Sequence, residues 1–214
     1  MPPLPTYSFL TKVLDARHAV VARDWLTFLT LRPTEMVIFG ADDPGIRIEL
    51  DRLSQEFSIP YEFLPSNPGD DLQLRETAIL KRMVEASRCQ YVFMCNLDTL
   101  PFRRGPNEER WMEEIFERLE GPGELAFFSA CGLRYRDDAL EPSGKYFLTQ
   151  RFSNNCGLLR RSHWLAAIDA RPQELLQGEA ERFHSEWALE EGYRQENRFG
   201  LRRKDTLDWR VFHV

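Results

Sequence analysis

The segment YVFMCNLDTLPF, residues 91–102, indicates both the class of fold and a candidate functional site. Its first five residues are apolar, which is typical of a buried strand. The run then meets Asn96 and Asp98 and breaks at Pro101. Side chains two positions apart on a strand point the same way, so an extended chain would present these amide and carboxylate oxygens side by side. Because open α/β sheets bind ligands beyond the carboxyl ends of their strands, the pattern indicates either a ligand site or a polar turn.

Short apolar runs alternate with segments of helical periodicity along the rest of the chain. This alternation predicts an α/β fold with a mainly parallel central sheet and helices on both faces. No segment has the composition of an interdomain linker, so the chain is predicted to be a single domain over residues 1–214. Strands are predicted at residues 7–14, 36–40, 61–64, 91–95, 125–131 and 155–161, and at the closing segment 209–214. Helices are predicted between the first four strands, from a cap at Asn107 to a stop at Gly121, and around residues 183–195.

The composition excludes several classes of protein. The formal net charge of -6 argues against general affinity for nucleic acid. Four scattered cysteines with no CxxC pair suit a reducing cytoplasm better than a disulfide framework or a zinc site. The amino terminus lacks the features of a signal peptide, and no window has the apolar length of a membrane span. We therefore expect a cytoplasmic protein.

Acidic residues also follow the second predicted strand. Asp43 precedes Pro44, a combination that favours a helix cap. Asp42 has no such duty and could reach a ribose or a base. In the last predicted helix, Glu186 could perform acid/base or nucleophilic chemistry, although charged residues beside an apolar face are usually its solvated side. His213 is ambiguous, and it becomes a candidate ligand only if the final strand returns beside Asp98.

Basic residues precede or follow the central strands. Arg75, Lys81 and Arg82 lie on the helix that enters the 91–95 strand, and one of them could turn toward a diphosphate. Most of these side chains would face solvent. Arg160, which follows Asn155-Cys156-Gly157, could likewise face either solvent or the diphosphate. No Walker loop, GxGxxG fingerprint, GxSxG elbow or HExxH helix occurs, which removes the usual NTPase, dehydrogenase, hydrolase and metalloprotease interpretations.

The order of these segments resembles the GT-A fold of nucleotide-sugar glycosyltransferases, in which an apolar strand ends in a DxD motif that binds metal and diphosphate. Residues 91–98 look like that strand, with Asn96 in place of the first acid. The resemblance implies a nucleotide-binding half over about residues 1–100 and an acceptor half over about residues 101–214. It also implies a nucleotide-sugar donor and a glycan or lipid-linked acceptor, which is compatible with peripheral contact at a membrane.

The resemblance assigns roles to individual residues. Asp42 and Asp43 sit where family members contact the nucleoside, and Asn96, Arg75 and Lys81 would serve the diphosphate. Segment NCGLLRR looks like the family's donor and acceptor sugar segment, represented by Asn155, Gly157 and Arg160, with Trp187 nearby in the later motif. Segment FHSEWAL resembles the late acidic motif, with Glu186 as the key carboxylate. Segment VFH resembles the late histidine segment, which makes Asp98 and His213 the implied ligands of Mn²⁺ or Mg²⁺.

Two branches of this fold compete. The closing histidine and RRSHW look like the inverting family-two enzymes, in which Glu186 would be a general base toward the acceptor hydroxyl. The central strand and FHSEWALEEGYRQ also look like the retaining family of the blood-group transferases, in which that glutamate lies beneath the anomeric carbon. Bacterial relatives of that family replace the DxD acids with asparagines and dispense with metal. Since Asn96 removes one negative charge, metal independence remains an alternative.

Three rival functions follow from the same residues. A catalytically inactive relative could have kept the fold and lost the full acidic motif, since function lives in the site. A nucleotidyltransferase would share the nucleotide-binding half, although no glycine-rich phosphate loop follows the first strand. An interaction protein would use its acids and tryptophans only as surface and core.

Overall fold

The computed structural model describes residues 5–66, 76–96, 99–103, 110–121, 125–130, 141–143, 146–150, 156–169, 199–203 and 209–213. Helices and strands alternate through most of these ranges. The helices are α1 (His18–Phe28), α2 (Pro44–Phe57), α3 (Glu76–Ala86), α4 (Trp111–Leu119) and α5 (Arg161–Asp169). The strands are β1 (Tyr7–Val13), β2 (Glu35–Gly40), β3 (Tyr61–Pro65), β4 (Tyr91–Cys95), β5 (Thr99–Arg103), β6 (Leu125–Ser129), β7 (Glu141–Ser143), β8 (Tyr146–Thr149), β9 (Cys156–Arg160), β10 (Phe199–Arg203) and β11 (Trp209–His213).

Nine of these strands form one sheet in the order β3-β2-β1-β4-β9-β6-β10-β8-β7. Strands β1 to β4 are parallel to one another, and β6 is parallel to β10. Strand β9 runs antiparallel to both β4 and β6, and β8 runs antiparallel to both β10 and β7. All strands of this sheet except β8 and β9 therefore point the same way, which confirms the predicted α/β class with a mainly parallel sheet.

Helices cover both faces of the sheet, and the central strand β4 is apolar at every position. Alternate residues of β4 enter two different clusters of buried side chains. Phe93 packs on one face, together with Trp25 of α1 and Trp111 of α4. Met94 packs on the opposite face, with residues of α3 and with Trp164 of α5. This two-sided burial explains why a continuous apolar run was the correct signal for the central strand.

A charged network ties the strands together at their amino ends. The Glu35 side chain is only 5% exposed. It accepts hydrogen bonds from the Ser8 hydroxyl at 2.7 Å, from the Arg88 backbone N–H at 2.6 Å and from the Arg88 Nε at 2.8 Å. Ser87 Oγ lies 3.0 Å from Ser8 Oγ. We call Glu35, Ser8, Ser87 and Arg88 the amino-edge clamp, since it joins β1, β2 and the chain entering β4.

Helix α4 begins later than the sequence predicts. The expected cap, Asn107, lies outside the described residues, and the helix starts at Trp111 with Arg110 in the N-cap position making no side-chain cap. Thr30, which follows α1, provides the cap instead. Its hydroxyl accepts from the Met112 N–H at 3.0 Å and donates to Glu113 at 2.9 Å. The helix ends at Leu119, two residues before the predicted stop at Gly121.

We expect Thr30→Ala to lower the free energy of unfolding by about 1 kcal/mol, the usual cost of losing an N-terminal cap. The reason is that Met112 N–H, in the first turn of α4, would lose its acceptor. Urea denaturation measures the change. Thr27→Ala is the matched control, because the Thr27 hydroxyl donates only to the carbonyl of Arg23 one turn earlier; its effect should stay within about 0.5 kcal/mol. Equal losses in the two variants would contradict the capping role.

Candidate functional site

The carboxyl ends of the parallel strands form one edge of the sheet, which we call the carboxyl edge. Val13 is paired with Gly40, and Gly40 with Pro65, so the ends of β1, β2 and β3 lie level. A Cβ atom on Gly40 would lie 2.1 Å from the carbonyl oxygen of Val13, so only glycine permits this approach. Cys95, at the end of β4, is paired with Thr11 of β1. Residues that follow these four strands are therefore neighbours at one edge, as expected for a ligand crevice.

Strand β4 ends at Cys95, so Asn96 lies just beyond the strand. The backbone carbonyl of Asn96 accepts a hydrogen bond from the Thr99 N–H at 3.1 Å. The Thr99 hydroxyl donates to the same carbonyl. An i to i+3 hydrogen bond of this kind is typical of a β-turn. Strand β4 therefore ends before Asn96. Because Asp98 lies outside the described residues, the expected side-by-side placement of Asn96 and Asp98 stays a prediction.

The last strand returns to this turn. Strands β5 and β11 form a separate antiparallel pair, in which His213 lies directly opposite Thr99. Thr99 is the residue after Asp98 in the sequence. The condition for treating His213 as a candidate ligand was a return beside Asp98, which lies outside the described residues, so the role of His213 stays a prediction. Periodicity predicted the strand but could not identify its partner.

The two acids after β2 have different environments. Asp43 caps α2: its Oδ1 accepts from the Gly45 N–H at 2.7 Å and from the Ile46 N–H at 3.2 Å, with Pro44 in the first turn. The Asp42 side chain is 69% exposed at the carboxyl edge. It lies 3.3 Å from Arg47, whose guanidinium stacks at 3.7 Å over the Phe63 ring. Asp43 therefore has the structural duty that Pro44 indicated, and Asp42 remains available to a ligand.

Polar residues that follow β1 at the same edge were not predicted from the sequence. Arg17 makes a two-point contact with Asp15, from Nε at 2.9 Å and from Nη2 at 3.0 Å. Its backbone N–H adds a third hydrogen bond at 2.8 Å. The hydrogen bond from the Arg17 side chain is the main reason why the pKa of Asp15 is lowered to about 2. His18 Nδ1 accepts from the Leu14 N–H at 3.1 Å. Their position directly after a buried parallel strand was the signal that could have identified them.

The basic residues of α3 point to different ends of the sheet. Arg82 donates to the carbonyl of Pro65 at 3.3 Å and lies over the Phe39 ring, so it reaches the carboxyl edge. Lys81 Nζ lies 3.9 Å from Glu85 Oε1. Glu85 is one turn further along α3, toward the helix end that leads to the amino-edge clamp. Arg75 lies outside the described residues. Of the two candidates that the structure describes, Arg82 makes contacts at the carboxyl edge.

Strand β9 separates two residues that the sequence motif groups together. Gly157 is paired with Met94 and lies near the carboxyl edge, whereas Arg160 is paired with Tyr91 at the start of β4. The two ends of β9, Cys156 and Arg160, are four positions apart, which corresponds to about 13 Å along the strand. Arg160 binds Glu120 at 2.7 Å beside Tyr91, whose pKa is raised by burial and by its hydrogen bond to Glu120. Its described contacts therefore lie at the amino edge, away from Asn96.

Four other candidates lie outside the described residues: Asp98, Asn155, Glu186 and Trp187. Within the described ranges, no three His, Cys, Asp or Glu side chains form a group that could hold a metal ion. No helix in the described part of the chain has the length and apolar character needed to cross a membrane.

The fold is similar to that of a solved glycosyltransferase. No protein-family model matches the sequence, and no curated protein sequence gives a match. The mannosyltransferase PcManGT from Pyrobaculum calidifontis, solved in complex with GDP-Man and Mn²⁺, aligns with a TM-score of 0.53 at 13% sequence identity. The alignment covers 85% of this chain and 51% of that chain, so this chain spans about half the length of the mannosyltransferase. At this identity the likeness concerns the fold alone: the chain shares the mixed α/β architecture of a solved glycosyltransferase.

Proposed function

We propose that this protein is a glycosyltransferase that moves a sugar from a nucleotide diphosphate donor to a hydroxyl acceptor, either a glycan or a lipid-linked saccharide. The observation that supports this most strongly is the return of β11 to the turn after β4. The register puts His213 opposite Thr99 at the carboxyl edge, directly after the Asn-Leu-Asp segment. The fold neighbour, which was solved with GDP-Man and Mn²⁺, supports the same class of chemistry.

The donor nucleotide would lie along the carboxyl edge. Asp42 is exposed there and would accept hydrogen bonds from the ribose or the base. Arg82, which already reaches Pro65 at this edge, would face the diphosphate and offset its negative charge. Asp43 would contribute indirectly, because it fixes the start of α2 beside Asp42. Arg75 and Lys81 were assigned to the diphosphate from sequence; Arg82 now has the better supported position.

The proposal includes a divalent cation held by Asp98 and His213. A carboxylate oxygen is a ligand that suits Mn²⁺ or Mg²⁺. The strand of His213 is paired with Thr99, the residue that follows Asp98 in the sequence. Asn96 contributes no charge, so the donor diphosphate would provide the remaining oxygen ligands. When bound, the cation would neutralise the charge that develops on the leaving diphosphate. Without it, Arg82 would help to neutralise that charge.

The chemical step is assigned to Glu186. In an inverting enzyme its carboxylate would take the proton from the acceptor hydroxyl, which attacks the anomeric carbon as the bond to the diphosphate breaks. In a retaining enzyme the same carboxylate would lie beneath the anomeric carbon and act there as a nucleophile or stabilise the oxocarbenium ion. Asn155, Gly157 and Trp187 would contact the donor or acceptor sugar. Gly157 lies beside Met94 near the carboxyl edge, which is compatible with this role.

The test is a thermal-shift screen of UDP, GDP, dTDP and CMP, each with and without manganese. A ligand that binds the native state raises Tm by mass action, so a shift with one nucleotide would identify the donor class. Subsequent hydrolysis of the matching nucleotide sugar would exclude an inactive relative. If no nucleotide raises Tm in either condition, the glycosyltransferase proposal fails and the interaction-protein alternative gains support. Release of pyrophosphate from a nucleoside triphosphate and a sugar phosphate would instead favour a nucleotidyltransferase.

Asp42 and Asp43 provide a prediction that separates binding from stability. We expect Asp42→Asn to weaken binding of the preferred nucleotide about tenfold, because it removes a charged acceptor, while the free energy of unfolding changes by less than about 0.5 kcal/mol. We expect Asp43→Ala to lower the free energy of unfolding by about 1 kcal/mol through loss of the α2 cap. Isothermal titration calorimetry and urea denaturation measure the two quantities. Unchanged affinity in Asp42→Asn would remove this residue from the nucleotide site.

A further inference from the structure

Two cysteines lie opposite each other in the central sheet. Cys95, the last residue of β4, is paired in register with Cys156, the first residue of β9. Both side chains are buried, with exposed fractions of 1% and 0%, and both belong to the cluster of buried side chains that contains Phe93. They therefore lie at neighbouring positions on the same face of the sheet. Both cysteines are present as thiols.

The hydrogen bonds of the sheet define the kind of cross-strand pair. The Arg161 N–H donates to the Gln90 carbonyl at 2.9 Å, so these opposite residues form a hydrogen-bonded pair at the far end of β4 and β9. The two kinds of pair alternate along an antiparallel ladder, and Cys95 and Cys156 lie five positions further along, which makes them a non-hydrogen-bonded pair. Accordingly, the Cys156 carbonyl accepts from the Ala130 N–H, on the β6 side, at 2.9 Å.

This kind of pair has the geometry that a disulfide needs. Opposite residues of a non-hydrogen-bonded pair have Cα atoms about 4.5 Å apart and Cβ atoms at the short end of about 4.5–5.5 Å. Disulfides join cysteines whose Cα atoms are about 4.4–6.8 Å apart and whose Cβ atoms are about 3.5–4.5 Å apart. The backbone therefore already holds the sulfur atoms of Cys95 and Cys156 within reach of each other. Sequence spacing gives no sign of this pair, because β4 and β9 are far apart in the chain.

We propose that Cys95 and Cys156 are an oxidation site, at which a two-electron oxidant of the peroxide class converts the two thiols to an intramolecular disulfide. One thiolate attacks hydrogen peroxide and becomes a sulfenic acid, and the hydroxide that leaves takes up the thiol proton to form water. The second thiol then attacks the sulfenic sulfur. The S–O bond breaks as the S–S bond forms, and a second water leaves. The two sulfur atoms together lose two electrons, and one peroxide is reduced to two waters.

Oxidation would also change the contacts of the turn that follows β4. The Cys95 thiol donates to the Asn96 carbonyl at 3.4 Å and lies 3.3 Å from the Thr99 hydroxyl. A disulfide has no S–H, so this donor would be lost, while the Thr99 N–H would keep its own hydrogen bond to Asn96. The pair would thereby link the redox state of the chain to the carboxyl edge. This inference goes beyond the proposed function and does not depend on it.

The experiment treats the full native chain with hydrogen peroxide, denatures it in N-ethylmaleimide and measures its mass. All four cysteines should take the label before oxidation, the oxidised chain should take two labels fewer, and dithiothreitol should restore all four. After trypsin, we expect a link between the peptides 89–103 and 152–160. Cys89 lies on the first peptide, so Cys89→Ala is the matched control. The link should persist in that variant and be lost in Cys95→Ala and in Cys156→Ala.

The disulfide should also stabilise the fold. It would close a loop of about 60 residues and so restrict the unfolded chain, and we expect the Tm of the oxidised wild type to rise by about 5–10 °C. Reduction with dithiothreitol should return the Tm to its starting value. Peroxide also oxidises methionine, so Cys156→Ala treated in the same way is the control, and its Tm should not rise.

Several results would overturn the inference. A link that joins Cys89 or Cys131, oxidation of Cys95 to sulfinic acid without a link, or four labelled cysteines after peroxide treatment would each exclude this redox pair. A Cys95–Cys156 link without a rise in Tm would show that the strands must move to form it, which contradicts the argument from register. Should an alanine variant not fold, fragmentation of the linked wild-type peptides identifies the bonded cysteines. None of these readouts uses a nucleotide, so failure here leaves the proposed function standing, and failure of nucleotide binding leaves this inference standing.

Discussion

Replacement of Asp98 by asparagine is expected to weaken manganese-dependent nucleotide binding about 100-fold or more. The substitution preserves shape and removes the single acidic charge of the Asn-Leu-Asp segment. Hard cations are held largely by ligand charge, and loss of residues that merely support a metal site already costs about 10- to 100-fold. Calorimetric titration of the preferred nucleotide with and without MnCl₂ measures the effect. Binding without manganese should be unaffected.

Asp51→Asn is the matched control for this change. Asp51 lies on α2, where it accepts a hydrogen bond from the Tyr61 hydroxyl at 2.7 Å. The control changes the net charge by the same amount at a place away from the β4 turn, so a long-range electrostatic effect would appear in both variants. If Asp98→Asn binds nucleotide with manganese as well as Asp51→Asn does, the assignment of Asp98 as the metal anchor is wrong.

Removal of the Glu35 carboxylate is expected to lower the free energy of unfolding by about 3 kcal/mol. In Glu35→Ala, the Ser8 hydroxyl and the Arg88 N–H would lose their shared acceptor in the interior, and a buried unsatisfied group costs about 1–3 kcal/mol. In a chain of this length the loss corresponds to a fall in Tm of about 6–12 °C. Glu56→Ala is the control, because Glu56 is half exposed in its ion pair with Arg23, and such pairs contribute about 0–1 kcal/mol.

The same clamp should respond to acid. Burial raises the pKa of Glu35, but the hydrogen bonds from the Arg88 N–H, the Ser8 hydroxyl and the Arg88 guanidinium together lower it below the usual value. A lowered pKa means that the contribution to stability is complete above the pKa of glutamate in the unfolded chain, about 4.3, and is lost as pH falls through the folded value. The difference in unfolding free energy between wild type and Glu35→Gln should therefore narrow from neutral pH to about pH 3. A constant difference would show that the charge of Glu35 is irrelevant.

The architecture was largely predictable because the local signals agreed. The apolar run 91–95 became a strand with helices on both faces, and Asp43-Pro44 marked the start of α2. Local rules failed where a distant residue supplies a contact that is usually local. Thr30 caps α4 from the chain after α1, and no window around residue 107 contains that information.

The site was predictable only in part, since strand pairing depends on contacts far apart in sequence. Gly157 and Arg160 are three residues apart, yet the reversed direction of β9 sends them toward opposite edges. The pairing of β11 with β5 was likewise inaccessible to periodicity, although it brings His213 to the residue after Asp98. Arg82 and Lys81 are adjacent, and only the packing of α3 reveals which of the two reaches the carboxyl edge.

The amino-edge clamp has a consequence for engineering this chain. Glu35 and Gly40 occupy opposite ends of β2, about 17 Å apart along the strand. Substitutions separated by more than about 10 Å without shared partners usually have additive effects on stability. Substitutions that stabilise the amino-edge clamp can therefore be combined with libraries that vary the residues after β1, β2 and β4. The stability gained at the clamp should add to the stability of the variants selected at the carboxyl edge.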